Sequence, residues 1–234
     1  MQSVTLTLYR FDSLAARFWA FGQMASARFA LKRLPDIAFF KLCGSGTGEG
    51  FTPIPNTAVY AILATWPDAE TAPRVMASAR IFRRYAAVAS ETCTLFLSSR
   101  SVRGTWSGQY PFKASDAPFD GPIAALTRAT LRPSVALRFW NRVPDISRVI
   151  GKDPHVMFKI GVGEVPFLHQ VTFSIWPDTQ TMVAFARADG PHARAIRAVR
   201  EERWFSEELY ARFSVDAVSG TWEGRTPLET TRKG

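Results

Sequence analysis

Gly104-Thr105-Trp106-Ser107-Gly108 returns near the end of the chain as Gly220-Thr221-Trp222-Glu223-Gly224. Three further words recur in the same order: Arg17-Phe18-Trp19 as Arg138-Phe139-Trp140, Phe40-Lys41 as Phe158-Lys159, and Trp66-Pro67-Asp68 as Trp176-Pro177-Asp178. The members of each pair are 110 to 121 residues apart. Four words in one order indicate a structural unit that has been duplicated and fused.

Each copy has the same predicted order of elements. The predicted strands are Val4–Tyr9, Ile37–Cys43, Ala58–Thr65 and Thr92–Val102 in the first copy, and Ile123–Thr130, His155–Val162, Leu168–Ile175 and Leu209–Ser219 in the second. The predicted helices begin at Ser13, run from Asp68 toward Arg84, span Pro133–Val149 and run from Asp178 to Glu208. The order β-α-β-β-α-β is the split ferredoxin-like motif.

A ferredoxin-like unit leaves one apolar sheet face open, and a second copy can bury that face. We therefore predict an α+β fold in which two fused ferredoxin-like βαββαβ repeats pack sheet to sheet as an intramolecular dimeric α+β barrel. Residues 1–111 form the first repeat, residues 112–121 the linker, and residues 122–234 the second repeat. That architecture alone decides little about function, because one fold hosts many activities.

Composition narrows the classes of partner. Of the 234 residues, 47% are hydrophobic and 21% charged, which supports a folded core and argues against disorder. The formal net charge of +9 is spread along the chain, without zinc-ligand spacing or an RNA-binding signature, and this disfavours nucleic acid. An anionic membrane surface, an acidic protein or a plain solvated basic surface remain. With no bilayer-spanning apolar run and no signal peptide, we expect a cytoplasmic protein.

The copies differ in length at places where function can be added. The first copy has the extra Gly-rich loop Cys43-Gly44-Ser45-Gly46-Thr47-Gly48-Glu49-Gly50. It lacks the ending of a phosphate-binding loop, and Pro53 and Pro55 forbid a helix after it, so a loop over a sheet edge or a plain connection is favoured over a nucleotide site. The second copy is longer around Asp189-Gly190-Pro191-His192.

Three histidines are the candidate ligands. His192 begins a predicted helix and shares its apolar face, which fits either a core or capping histidine or an axial haem ligand or catalytic base. His169 alternates with apolar residues and is placed on a sheet face, while His155 is expected in a surface or loop position. The two cysteines, Cys43 and Cys93, form no paired motif and are interpreted as buried free thiols.

Several long words resemble those of the spheroidene monooxygenases of purple photosynthetic bacteria. These are the run from Phe40 to Pro53, Ala64-Thr65-Trp66-Pro67-Asp68, the segments from Gly190 to Ala193 and from Trp204 to Phe213, and the closing Gly220–Gly224 word. The resemblance covers nearly the whole chain. It implies an enzyme of carotenoid biosynthesis that oxidises spheroidene at C2 to the 2-keto product, with haem b, molecular oxygen and electrons from a ferredoxin.

The resemblance also gives the histidines a chemical context. Combined with the sequence pattern, it favours His192 as the haem-iron ligand, with His169 as the alternative. Arg194 and Arg197 are near enough along the helix to pair with haem propionates. Thiolate ligation by Cys43 or Cys93 is disfavoured, since neither has an electropositive setting. A basic surface suits an acidic ferredoxin and peripheral contact with the photosynthetic membrane. A cofactor-free binding or structural member of the same barrel superfamily stays open as the alternative.

Overall fold

The computed structural model describes residues 1–141, 154–187 and 204–228. Within these ranges the strands are β1 (Ser3–Arg10), β2 (Phe39–Gly46), β3 (Pro55–Trp66), β4 (Glu91–Gly104), β5 (Ile123–Leu131), β6 (Phe158–Gly163), β7 (His169–Trp176) and β8 (Phe205–Gly220). The helices are α1 (Leu14–Leu31), α2 (Thr71–Ser78), α3 (Arg80–Val88) and α4 (Thr179–Arg187), with a further helical segment at 136–141. Residues 112–121 form neither helix nor strand.

The strands close into one antiparallel barrel in the order β1-β3-β2-β6-β7-β5-β8-β4. Each half therefore has the same internal order, β4-β1-β3-β2 in the first and β8-β5-β7-β6 in the second. The predicted sheets do face each other, but they also pair edge to edge. β4 and β8 share a long ladder from Cys93↔Gly220 to Gly104↔Leu209, whereas β2 and β6 share only the pairs Gly44↔Gly163 and Ser45↔Val162.

Alternation along the strands separates an apolar interior from the outer faces. Val4, Leu6 and Leu8 of β1 point inward, and their counterparts on the other strands complete one core that fills the barrel. On the outside of the first half, α1, α2 and α3 pack against a second core that includes Trp66 and Tyr85. The barrel wall is thus buried on both sides in this half.

Asp and Ser side chains begin the helices where the sequence predicts them. The Ser13 hydroxyl accepts a hydrogen bond from the Ala16 N–H at 3.2 Å, which caps α1. The Asp68 carboxylate accepts from the Thr71 N–H at 2.7 Å, and Asp178 accepts from the Thr181 N–H at the same distance. The two Trp-Pro-Asp words therefore do the same structural work in the two halves.

Two predicted helices differ in length from the helices of the structure. The helix predicted from Asp68 toward Arg84 is divided into α2 and α3 at Ala79, whose backbone is extended. The Ser78 hydroxyl donates to the Arg74 carbonyl at 3.0 Å, a bond that competes with the helical ladder. The prediction that helix continues to Glu208 is wrong at its end, because pairing with β5 extends β8 back to Phe205.

The two Gly-Thr-Trp words fold into matching turns, named here the first Trp turn (residues 104–108) and the second Trp turn (residues 220–224). In both, the two residues after Trp have positive φ angles of 55° to 72°. The N–H of Gly108 in the first turn donates to Glu207 at 2.7 Å, and the N–H of Gly224 in the second donates to Glu91 at 2.9 Å. Because Glu207 lies on β8 and Glu91 on β4, each half caps the turn of the other.

The Phe-Lys words, in contrast, occupy different positions in the ladders. Lys41 pairs with the residue three places before Trp66, whereas Lys159 pairs with the residue two places before Trp176. Lys41 consequently points to the inside of the barrel, and Lys159 lies on the outside, where it forms an ion pair of 3.0 Å with Glu49. This word therefore does not mark equivalent residues.

The Gly-rich loop folds across the β2–β6 junction onto the outer side of the second half. Its first four residues, 43–46, belong to β2 and not to a loop. The Thr47 N–H donates to the Ile54 carbonyl beyond the loop at 2.8 Å, and Phe51, which follows the loop, packs against Leu131 and Trp204. The Gly161 N–H donates to the Glu49 carbonyl at 2.8 Å. Because β2 pairs with β6, the loop lies over a strand junction and not over an open sheet edge.

We expect Gly161→Ala to lower the free energy of unfolding. A Cβ at this position would lie 2.4 Å from the Gly50 carbonyl oxygen, so the loop must shift, at a cost of about 1–3 kcal/mol. Gly22→Ala is the matched control: Gly22 lies in α1 with no atom within 4 Å of the added Cβ, and alanine there should stabilise by about 0.5–1 kcal/mol. Urea unfolding of the two variants checks both signs, and equal effects would contradict the proposed close contact.

Candidate functional site

The outer face of the second half is built from smaller side chains than the outer face of the first. Matching the ladders from Trp66 and Trp176 gives equivalent positions on the two outer faces. In the first half these positions carry Tyr9, Leu42, Tyr60 and Ile62, which pack under the helices. In the second half they carry Ala129, Gly161, Gln170 and Thr172. Among the described residues, the outer face of the second half therefore has smaller side chains at these four positions than the first half has.

An apolar groove of about 280 Å³ lies beside this face. Phe21 and Met24 of α1 line one part of it, and Trp140 and Phe167 line another. The Trp140 indole N–H donates to the Phe167 carbonyl at 2.8 Å, which joins the helical segment 136–141 to the β6–β7 turn. A groove with such walls suits a hydrophobic ligand.

His169 supplies an imidazole to the lining of this groove. It is the first residue of β7 and its side chain is 23% exposed. Its Nδ1 lies 3.6 Å from Glu164 Oε2, too long for a hydrogen bond, and has no hydrogen-bond partner within the part of the chain that the structure describes. A carboxylate beside one imidazole nitrogen is the usual means of orienting the other toward a metal ion or a proton.

Glu164 is held at the barrel mouth by three groups. It accepts from Lys41 Nζ at 2.8 Å and from the Trp106 indole N–H at 2.6 Å, and His169 is its third polar neighbour. Burial by itself raises the pKa of Glu164, but the contacts with His169, Lys41 and Trp106 outweigh it and lower the pKa to about 2. The carboxylate is therefore ionised at neutral pH and acts as an acceptor.

Arg128 and Glu207 complete the mouth cluster, defined as Lys41, Trp106, Arg128, Glu164, His169 and Glu207. The Arg128 side chain is 1% exposed and forms a short ion pair with Glu207. The Glu207 carboxylate also accepts hydrogen bonds from the backbone amides of the first Trp turn. Burial by itself raises the pKa of Glu207, but these amides and the Thr105 hydroxyl outweigh it and lower the pKa. Two cations and two carboxylates balance one another, which is what burial of charge requires.

The cysteines are buried free thiols, as predicted. Cys43 and Cys93 both belong to the core that fills the barrel. Burial raises the pKa of the Cys93 thiol to about 12 and raises that of Cys43 further. Thiols that stay protonated are poor metal ligands.

The first-choice haem residues, His192, Arg194 and Arg197, lie outside the described residues. Among the described ones, His169 lies at the groove, on the inward-facing side of β7 as its alternation predicts. His155 is exposed in the turn before β6, which agrees with the expected surface or loop position. Residues 1–141, 154–187 and 204–228 contain no group of three or more His, Cys, Asp or Glu residues placed to hold a metal ion.

Sequence reasoning missed the mouth cluster. Its members come from β2, β5, the β6–β7 turn, β7, β8 and the first Trp turn, so only the closed barrel brings them together. One signal was available: Arg128 follows Ala124 and Leu126 on the inward side of β5, where a charged residue needs a buried partner.

The depressed pKa of Glu164 gives stability that depends on pH. A glutamate carboxyl whose ordinary pKa of 4.5 is lowered to about 2 by folding stabilises the fold above pH 4.5, and this contribution is lost as the pH falls toward 2. We expect Glu164→Gln to reduce the free energy of unfolding by about 3 kcal/mol at pH 7 and by much less near pH 2.5. Urea unfolding across this pH range measures both differences.

The control for this prediction is Glu223→Gln. Glu223 forms an ion pair with Arg10, but its side chain is 72% exposed, so the change should cost under about 1 kcal/mol. A Glu164→Gln variant whose stability deficit stays constant from pH 7 to pH 2.5 would contradict the role assigned to that carboxylate.

Three curated proteins match nearly the full length of the chain. The spheroidene monooxygenase of Cereibacter sphaeroides is 52% identical over 97% of this chain and 71% of that protein. The spheroidene monooxygenase of Rhodobacter capsulatus is 50% identical over 97% of this chain and 96% of that protein. The spheroidene monooxygenase of Rubrivivax gelatinosus is 36% identical over 90% of this chain and 81% of that protein. No protein-family profile matches the chain.

Solved structures with a related fold include two crystal structures of aldoxime dehydratase. One, a complex with butyraldoxime, has a TM-score of 0.61 at 12% identity and covers 92% of this chain and 79% of that one. The other has a TM-score of 0.59 at 12% identity and covers 92% and 81%. At this identity the likeness extends to the fold alone. The identity to three full-length relatives, however, shows that the chain belongs to the spheroidene monooxygenase family.

Proposed function

We propose that this protein oxidises the acyclic carotenoid spheroidene at C2 to the 2-keto product spheroidenone, with molecular oxygen and reduced ferredoxin. The observation that carries the proposal is the 52% identity to a spheroidene monooxygenase over 97% of the chain. Two successive hydroxylations at one carbon give a gem-diol, which loses water to form the ketone. Each hydroxylation consumes one O2, two electrons and two protons and releases one water.

The groove supports a substrate of this kind. A carotenoid is a long apolar polyene, so its binding requires apolar walls and the exclusion of water. Phe21, Met24, Trp140 and Phe167 supply such walls, and the described outer positions of the second half carry small side chains next to them. In our proposal the reacting end of the polyene lies on the second half of the barrel.

We propose haem b as the cofactor, held by an imidazole. The described residues offer one imidazole for such a group: His169 lines the groove, and the Glu164 carboxylate 3.6 Å from its Nδ1 would leave Nε2 for the iron. His192 remains our first ligand and His169 the alternative, with Arg194 and Arg197 proposed for the propionates. Bound haem would supply the activation of O2. The raised pKa values of Cys43 and Cys93 oppose thiolate ligation.

The side chains of the protein would position the substrate and the ligand. The aromatic walls would orient the polyene and exclude water from it. Glu164 would hold the His169 ring in one orientation, because its position is fixed from the other side by Lys41 and Trp106. The net charge of +9 would attract an acidic ferredoxin, and a substrate stored in membranes would favour peripheral contact with the inner photosynthetic membrane.

We also propose that the chain arose by duplication and fusion, with repeats at 1–111 and 122–234 joined by the linker at 112–121. The equal strand order in the two halves supports this history. So do the matching Trp turns, each capped by a glutamate from the other half. The Phe-Lys words are offset, and in the Arg-Phe-Trp words Phe18 is exposed whereas Phe139 is buried, so the support is limited to the Trp-Pro-Asp and Gly-Thr-Trp words.

Cells that accumulate spheroidene provide the test of the activity. We expect expression of this protein to convert spheroidene into a product heavier by 14 mass units, the replacement of two hydrogens by one oxygen, with a conjugated carbonyl band in the infrared spectrum. The same cells carrying an empty vector are the control. Unchanged spheroidene in cells that contain folded protein and a reduced ferredoxin would refute the proposal.

Visible spectra of purified variants test the cofactor and its ligand. Reconstituted wild-type protein should have a Soret band, and His192→Ala should lose or shift it while the far-ultraviolet circular dichroism stays unchanged. His155→Ala is the control, because His155 is exposed and away from the groove lining. Loss of the band in His169→Ala but not in His192→Ala would move the ligand to β7. A wild-type band in all three variants would exclude histidine ligation.

A further inference from the structure

Helix α1 exposes a continuous aromatic stripe to solvent. Its residues recur every three or four positions and therefore lie along one helical face: Leu14, Phe18, Phe21, Ala25 and Phe29. Leu14, Phe18, Phe21 and Phe29 are 71%, 77%, 69% and 70% exposed. The stripe is roughly 22 Å long at the helical rise of about 1.5 Å per residue. The helix does not need this face for folding, because Ala20, Ala27 and Leu31 on the opposite side anchor it to the barrel.

The helices around the stripe carry only positive charge. The sequences of α1, α2 and α3 contain six arginines, and they contain no Asp or Glu. Arg80 and Arg83 are exposed on α3, which packs beside α1, and Lys32 and Arg33 follow α1 directly. An aromatic face flanked by arginines is the composition that binds anionic lipid surfaces, with the rings among the acyl chains and the cations at the headgroups.

The stripe also borders the apolar groove. Phe21 is at once an exposed member of the stripe and part of the groove lining, and Met24 continues the lining along α1. Across the groove, Val165 and Phe167 are 40% and 50% exposed. A surface pressed against α1 would therefore meet the groove opening as well. None of the helices in the described part of the chain is long and apolar enough to cross a bilayer, so the contact would be with one leaflet.

We propose that α1 lies in the headgroup region of an anionic bilayer through Leu14, Phe18, Phe21 and Phe29, with Arg80 and Arg83 of α3 on the lipid phosphates. This orientation places the groove mouth, at Phe21 and Phe167, against the acyl chains. The docking surface does not depend on the proposed activity. Its consequence, direct entry of a membrane-dissolved polyene into the groove, rests on that activity.

Sedimentation with lipid vesicles tests the docking surface. Wild-type protein should bind vesicles of phosphatidylcholine and phosphatidylglycerol at 7:3 and bind pure phosphatidylcholine much more weakly. The double variant Phe18→Gln/Phe29→Gln, which leaves the groove lining intact, should bind the anionic vesicles at least about tenfold more weakly, since each buried ring is worth more than 1.4 kcal/mol. Glutamine keeps helix propensity, so circular dichroism should not change. Arg80→Gln and Arg83→Gln should each weaken binding by about fivefold at low salt.

Tyr110→Gln is the matched control, because Tyr110 is an aromatic residue 80% exposed outside α1, and it should bind like the wild type. Wild-type binding by the Phe18/Phe29 double variant would overturn the proposal. A wild-type protein that does not bind vesicles, with a double variant of lower oligomeric state in light scattering, would also overturn it. That result would assign the stripe to contact with a second copy of the chain.

Turnover separates this proposal from the proposed function. With spheroidene in detergent micelles, the double variant should match the wild type, whereas with spheroidene in anionic vesicles its rate should fall about tenfold. Equal rates of the two proteins in vesicles would overturn the docking surface and leave the activity intact. Wild-type protein that binds vesicles but has no activity in either medium would refute the proposed function and leave the docking surface standing.

Discussion

Closure of the β-ladder is the constraint on which the rest of the structure depends. Once β4 pairs with β8 and β2 with β6, every strand has two neighbours. Successive side chains of each strand then point alternately into the barrel and out of it. The inside becomes a single apolar core, and the inward-facing Arg128 and Glu164 have charged partners at the mouth. The outside becomes two helix-covered faces. Their side chains can differ between the halves, because neither face takes part in the strand pairing that closes the barrel.

The outer faces of the two halves differ in the size of their side chains. In the first half, large side chains such as Tyr60 and Ile62 fix the helices firmly, and the helices in turn present arginines and an aromatic stripe to the surroundings. In the second half, the described outer positions carry small side chains such as Ala129 and Thr172, and the groove with His169 lies beside them. The groove itself lies where the two halves meet, since Phe21 and Met24 belong to the first half and Trp140 and Phe167 to the second. The Gly-rich loop, which belongs to the first half, reaches across the junction to cover part of the second.

Local signals in the sequence predicted much of the fold. Ser13 and Asp68 act at short range, so their capping roles follow from neighbouring residues, and the Gly-Thr-Trp words carry their own turn geometry. The Phe-Lys words misled because two residues are too few to fix register, and a shift of one position turns a strand residue from inside to outside. The end of the last helix was misjudged because β8 is held by partners far away in the chain. The mouth cluster depends on closure itself, and only the inward Arg128 hinted at it.

The β4–β8 ladder also sets the order in which this chain can fold. Cys93 pairs with Gly220, a residue 127 positions later, so the central wall of the barrel cannot form until almost the whole chain has been synthesised. Until then β4 is an unpaired edge, and the second Trp turn that Glu91 caps has not yet been made. Topologies dominated by such distant contacts fold slowly and leave apolar strands available for wrong pairing. We therefore expect the nascent chain to depend on chaperones that protect strand edges more than a helical protein of this length would.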